Sequence, residues 1–177
     1  MSHIILLIVA SLFALIYGES SSVEKKRLTF KEDGTFKILH LSDVHYRIGP
    51  SQPSNDIEDW QVPYSLDGAK NTTDFIQRLI EIEKPDLVVH TGDLIDGSTH
   101  PQPQGMDEIY GVSFGAGIEW AATLGNHDAQ GNLTRHEVMD YILSLPKGLA
   151  DLNALGEDDA DMSYGNFYLE IFANENE

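Results

Sequence analysis

The chain reads as an α/β fold, with a mainly parallel sheet flanked by helices. Three observations point there. Apolar runs at 36–41, 86–89 and 118–124 are separated by segments with helical spacing. The resulting order of strand, helix, strand, helix, strand, helix implies right-handed crossovers between parallel neighbours. Finally, Leu87-Val88-Val89 and Ala121-Ala122 are continuously apolar, as strands buried on both faces are.

The elements follow in order. Residues 4–17 form an almost unbroken apolar run, closed by Gly18 and a serine-rich stretch. Its length suits a secretory leader over residues 1–20 and falls short of the roughly 20 residues that span a bilayer. No stable membrane anchor is expected after its removal. Two sequons, Asn71-Thr72-Thr73 and Asn132-Leu133-Thr134, agree with secretion. Leu28-Thr29-Phe30 suits a short edge strand, and Asp33-Gly34 a hairpin turn before the first strong strand at 36–41. Residues 46–65 carry three prolines and read as a long surface loop, whose Trp60 suits packing in the core or loop ahead of a substrate platform. A helix is expected over 72–83, where Phe75, Ile76, Leu79 and Ile80 recur at helical spacing and Pro85 stops it. The second strand, 86–89, leads to a loop at 97–105, then a short helix at 106–114 interrupted by Gly111. The third strand, 118–124, precedes an amphipathic helix at 135–145, closed by Pro146. Residues 151–161 read as an acidic, solvated loop, and 164–172 as a fourth strand.

Composition narrows the function. With 177 residues and 41% apolar content, the chain can build one domain with a real core. It has no cysteine, which excludes disulfides, a thiolate nucleophile and sulfur-based zinc sites. Against 29 Asp and Glu stand 11 Lys and Arg, a formal charge of −18. Such a surface repels nucleic acid, which is therefore not expected as a structural partner. It can still handle phosphate esters if metal ions supply the positive field.

The chemistry gathers at strand ends. In an open α/β sheet the ligand site lies beyond the carboxyl ends of the strands. Asp43 and His45 follow the first strand, Asp93 the second, and Gly125-Asn126-His127-Asp128 the third. Asp43 and His45 are two apart, so in extended chain both project to one side. Asp93 has two oxygens and can bridge two ions, while Asn126 can coordinate without adding charge. Asp128 can orient the imidazole of His127. Each group alone suits a turn or a cap. Three in order are compatible with a two-metal centre, and oxygen with imidazole donors suits manganese, iron or zinc. The remaining histidines have other expected roles: His40 and His90 in the sheet, His100 and His136 on the surface. Asp96 either joins the metal shell or begins a turn with Gly97.

Asp43-Val44-His45, Gly92-Asp93 and Gly125-Asn126-His127-Asp128 together resemble the calcineurin-like metallophosphoesterases. The resemblance is nearest to the purple acid phosphatase-like subgroup with a His in its first motif. It runs over residues 28–173, including the flanks Trp120-Ala121-Ala122-Thr123-Leu124 and Leu133-Thr134-Arg135. It implies a phosphoric ester hydrolase with two divalent or trivalent ions and a metal-bound hydroxide. Asp43 and His45 would hold the first ion, Asp93 would bridge, and Asn126 would hold the second. His127 would steady the transition state or protonate the leaving oxygen, with Asp128 orienting it. The position three after Asp93 is Asp96, where the purple enzymes have tyrosine, so no ferric-tyrosinate colour is expected. The family's later histidine motifs find no counterpart beyond His136. The resemblance therefore covers half of the family's αββα sandwich, its amino-terminal part. The alternative is a non-catalytic secreted protein that keeps half of that fold.

Overall fold

The computed structural model describes residues 27–48, 57–152 and 165–174. The expected leader lies outside the described residues, as does most of the acidic segment at 151–161. Among the described residues, no helix is long and apolar enough to cross a membrane.

Strands β2 (Ile38–Leu41), β3 (Leu87–His90) and β4 (Glu119–Ala122) form a parallel sheet in the order β2-β3-β4. Strands β1 (Leu28–Thr29) and β5 (Ile171–Phe172) form a separate parallel pair. The helices are α1 (Val62–Ser65), α2 (Gly68–Glu83), α3 (Gln102–Gly115) and α4 (Arg135–Ser144). The expected parallel sheet with helical crossovers is therefore present.

Side-chain alternation decides the layers. In register, Leu41, His90 and Ala122 share one face with Leu39, Val88 and Trp120. That face packs against Ile76 and Ile80 of α2, Ile109 and Tyr110 of α3, and Met139 and Ile142 of α4. On the opposite face Leu87 and Val89 meet Leu28, Leu149, Leu169 and Ile171, so the β1–β5 ribbon covers part of it. Every residue of β4 is buried although it ends the three-stranded order, as its apolar run requires of a strand covered on both faces.

Several boundaries differ from the sequence reading. The turn at Asp33-Gly34 forms, with the Gly34 N–H donating to the Lys31 carbonyl at 2.9 Å, yet it joins no hairpin. β1 pairs with β5 and β2 with β3, both in parallel. The second part of the expected loop at 46–65 is helical. Gln61 Oε1 accepts from the Glu58 N–H at 2.8 Å to start a 3-10 turn, and Pro63 sits in the first turn of α1. Trp60 there is 69% exposed and anchors no core.

α2 begins at Gly68, four residues before the apolar stripe announces it, and ends on Lys84 in the left-handed region (φ 46°) before Pro85. α3 begins at Gln102, inside the expected loop. Pro103 lies in its first turn, where a missing N–H has no consequence. Gly105 lies against Thr99, so it serves close packing there. α4 agrees with expectation and gains a capping box: Thr134 Oγ1 accepts from the Glu137 N–H, and Glu137 Oε2 accepts from the Thr134 N–H. Of the expected strand at 164–172, only Ile171–Phe172 is paired within a described sheet.

Beneath the carboxyl end of β3, His90 is fully buried. Its ring meets Tyr110 edge-on at 5.0 Å, and Tyr110 stacks on Trp120 at 4.7 Å. His90 Nε2 lies 3.3 Å from Ser113 Oγ, and among the described residues Nδ1 has no partner. Burial lowers its pKa to about 3. Because the folded-state value lies below the unfolded one, the neutral ring's full contribution holds above pH 6.5 and is lost as pH falls toward 3. Between pH 7 and 4 this one group should remove about 3 kcal/mol of stability. Urea unfolding at both pH values should show His90→Phe to be less acid-sensitive than wild type by that order. Equal slopes would sink the claim.

Candidate metal centre

The three strand ends are tied together first by backbone. Beyond β2 and β3 the chain keeps pairing: the Asp43 N–H donates to the Gly92 carbonyl at 3.2 Å, the His45 N–H to Asp93 at 2.9 Å, and the Tyr46 N–H to Leu94 at 2.7 Å. The loop after β4 joins through side chain and backbone. The His127 N–H donates to Asp93 Oδ1 at 2.7 Å. Two glycines let the loops touch. A Cβ on Gly92 would stand 2.3 Å from the Gly125 nitrogen, and one on Gly125 would stand 2.2 Å from Asp93 Oδ1.

This backbone is bent in an unusual way. Asp43 (φ 54°), His45 (φ 48°) and Asp93 (φ 51°) all occupy the left-handed region without being glycine. Each such residue costs of order 1–3 kcal/mol, and such strain gathers at ligand sites. Here it aims the side chains. Donor atoms of His45, Asp93 and His127 all lie within 4.8 Å of one another. The His45 and His127 rings meet edge to face, with centroids 4.9 Å apart. Asp93 is 8% exposed while His45 opens to solvent, so the cluster has a closed floor and an accessible mouth. Two imidazoles and a carboxylate fit a borderline cation such as zinc, manganese or iron.

Of the residues expected from sequence, His45, Asp93 and His127 thus converge. Asp43 lies on the same loop and accepts a hydrogen bond from Ser42 Oγ, but its carboxylate stands outside that mutually close group. Asn126 is exposed, adjacent to His127. A groove of about 560 Å³ runs beside β2, lined by His40, Ser42, Val44, Tyr64, Asn71 and Phe75.

Asp128 differs from expectation. It does not orient His127. It is 1% exposed, and its carboxylate accepts four backbone N–H groups. Oδ2 accepts from Asp93 at 2.7 Å and Gly125 at 2.8 Å, and Oδ1 from Leu94 at 3.0 Å and Ile95 at 3.1 Å. A buried charge needs such compensation, and the nearest N–H groups at the turn of the second loop supply it. The partner of His127 is instead Gln130, with Oε1 2.8 Å from Nδ1.

Sequence reasoning missed three residues that shape this region. Gln130 is one. Arg135, the first residue of α4, donates from Nη1 to the Gly125 carbonyl and from Nη2 to the Leu124 carbonyl, each at 3.0 Å. Gln102, 1% exposed, donates to the Asp128 carbonyl at 2.6 Å and accepts from the Leu133 N–H at 3.2 Å. The three-residue spacing from His127 to Gln130 was a weak signal for the first; Arg135 stood in the sequence only as part of a flank, without this role, and nothing local marks Gln102. Asp96 takes the turn role, accepting from the Ser98 N–H at 2.8 Å, and the hydrogen bonds from Ser98 hold its carboxyl below the usual carboxylate range. His40 Nε2 meets Thr91 Oγ1 at 2.5 Å, a sheet-edge role, and His100 and His136 are exposed.

A family model for calcineurin-like phosphoesterases matches residues 36–174. The chain belongs to that family. This calcineurin-like phosphoesterase chain is similar to a protein of Arabidopsis thaliana named probable inactive purple acid phosphatase 14. The two are 39% identical over 153 residues, which cover 83% of this chain and 37% of that one. It is also similar to phosphatase DCR2 of Saccharomyces cerevisiae, 32% identical over 151 residues, or 84% of this chain and 26% of that one. Among solved structures, a dimetal phosphatase from Danio rerio aligns at TM-score 0.46 and 18% identity, covering 70% of this chain and 37% of the other. The calcineurin-like phosphoesterase chain spans less than two-fifths of the length of the curated relatives it matches.

Proposed function

We propose that this chain hydrolyses phosphoric esters with a dinuclear metal centre. The convergence of His45, Asp93 and His127 at the joined strand ends carries this reading. His45 and Asp93 would hold the first ion together with Asp43, and Asp93 would bridge to a second ion on Asn126. Bound ions would neutralise the phosphate and lower the pKa of water enough to make it a nucleophile near neutral pH. The chain's own residues set the rest. Asp93 is held by its Oδ1 bond to the His127 N–H, Asp128 fixes the turn that carries Asp93, and Arg135 fixes the carbonyls before Asn126.

A purified chain should bind zinc, manganese or iron and hydrolyse an aryl phosphate. His45→Ala should weaken binding and turnover by more than about 100-fold, since it removes a donor outright. Metal-independent turnover, or none in the metal-loaded wild type, would sink the reading.

The competing reading is a non-catalytic metal-binding protein. It is favoured by the word inactive in the names of the Arabidopsis relatives and by the chain's partial span of them. Tight metal binding without turnover would establish it. Secretion is proposed as well, on the apolar run at 4–17 and on the exposure of both sequon asparagines, Asn71 and Asn132. A secreted product that still begins at residue 1 would contradict cleavage of a leader.

A further inference from the structure

We infer that the groove beside β2 is a subsite for the organic part of the substrate. It selects phosphate monoesters of neutral, ring-bearing alcohols, and Tyr64 and Phe75 are the side chains that set this specificity. The inference rests on the hydrolase reading above.

The chain itself places the groove next to the candidate metal centre. Ser42 and Val44 line it, and they flank Asp43 at the end of β2. The facing wall comes from Tyr64 and Ser65 of α1 and from Asn71, Thr72 and Phe75 of α2. Asn71 Nδ2 donates to the Tyr64 carbonyl at 3.0 Å, which fixes α1 against the start of α2. Tyr64 is 75% exposed and Phe75 61%, so neither ring is spent on the core. The volume of about 560 Å³ falls within the range of small-molecule sites.

The chemistry of the walls names the ligand class. No Asp, Glu, Lys or Arg lines the groove, although these residues make up 23% of the chain. Its polar side chains are already engaged. Ser42 Oγ donates to Asp43, Ser65 Oγ to the Val62 carbonyl at 2.9 Å, and Thr72 Oγ1 to the Gly68 carbonyl at 2.8 Å. His40 Nε2 is taken by Thr91. What is left for a ligand is apolar and aromatic surface. A flat neutral ring gains area and aromatic contact there. A second phosphate would need a cation, and a polyol would give up water for few partners. The ring does not react, so its contacts are alike in the bound ester and in the transition state. Losing them should therefore raise KM and leave kcat in place.

The test compares 2-phenylethyl phosphate with ethyl phosphate on the metal-loaded chain. Their leaving alcohols are of similar acidity, so the ring is the difference. The chain is produced without N-glycans, because a glycan on Asn71 would fill the groove. Wild type should favour the phenylethyl ester about 10-fold or more in kcat/KM. Tyr64→Ala and Phe75→Ala should each raise its KM about 3–10-fold, and Tyr64→Phe should restore it. Ile82→Ala, exposed on α2 outside the groove, should change neither constant. A second arm needs neither metal nor turnover. Titrating 2-phenylethanol into the metal-free chain should shift the ring ¹H signals of Tyr64 and Phe75 and leave those of Tyr168 in place. Equal kcat/KM for the two esters, or unshifted Tyr64 and Phe75 signals, overturns the groove and leaves the hydrolase reading standing. Shifted signals with no turnover of either ester sink the hydrolase reading and keep the groove as a ring-binding site.

Discussion

Replacing Asp128 by Asn is expected to cost about 3–5 kcal/mol of folding stability. The wild-type carboxylate accepts two N–H groups on each oxygen, and it is 1% exposed. Asn keeps one oxygen. Its amide nitrogen would then point its own hydrogens at two backbone donors, either those of Asp93 and Gly125 or those of Leu94 and Ile95. Water cannot enter to relieve them. The negative charge that strengthens all four bonds would also be gone. Urea denaturation at neutral pH should show the midpoint shift. The same variant should lose cobalt affinity, since Asp93 rides on the turn that Asp128 holds. His127→Gln separates this role from the one read in sequence. If Asp128 acted through the imidazole, both variants would destabilise alike. The expectation is instead that His127→Gln changes stability by less than about 1 kcal/mol.

Gly92→Ala should be nearly as damaging, at about 4 kcal/mol or more. Gly92 has φ +99°, where an L side chain is strained in any surroundings. Here the surroundings are also closed: the added Cβ would meet the Gly125 nitrogen at 2.3 Å and its Cα at 2.6 Å. Both are backbone atoms, so no rotamer can move aside. The loops carrying Asp93 and His127 would have to separate, which breaks the 2.7 Å bond between them. Gly34→Ala is the matched control, because φ is +74° there and a Cβ would meet nothing. That variant should cost only about 1 kcal/mol by thermal unfolding. Equal losses at the two sites would show that conformation matters and contact does not.

Much of this architecture was legible residue by residue. Continuous apolar triplets such as Leu87-Val88-Val89 marked strands buried on both faces, and those strands lie in the parallel sheet. The stripe of Ile76 and Ile80 marked α2, whose buried residues they are. Misreadings came where one residue type serves two purposes. Pro103 breaks a helix interior but suits a first turn, and only Thr99 packing on Gly105 shows which applies. Trp60 is apolar enough for a core, yet no core reaches it.

By itself the sequence determined the order of elements and the fact that His45, Asp93 and His127 follow successive strands, because periodicity and chain order are one-dimensional properties. Tertiary structure alone decided which partner each polar atom takes. Asp128 stands beside His127 in the chain, yet three of the four N–H groups on its oxygens come from 33–35 residues away, while His127 turns to Gln130. A buried carboxylate goes where desolvated donors are densest. That density arises only when the loops after β3 and β4 close on each other at Gly92 and Gly125.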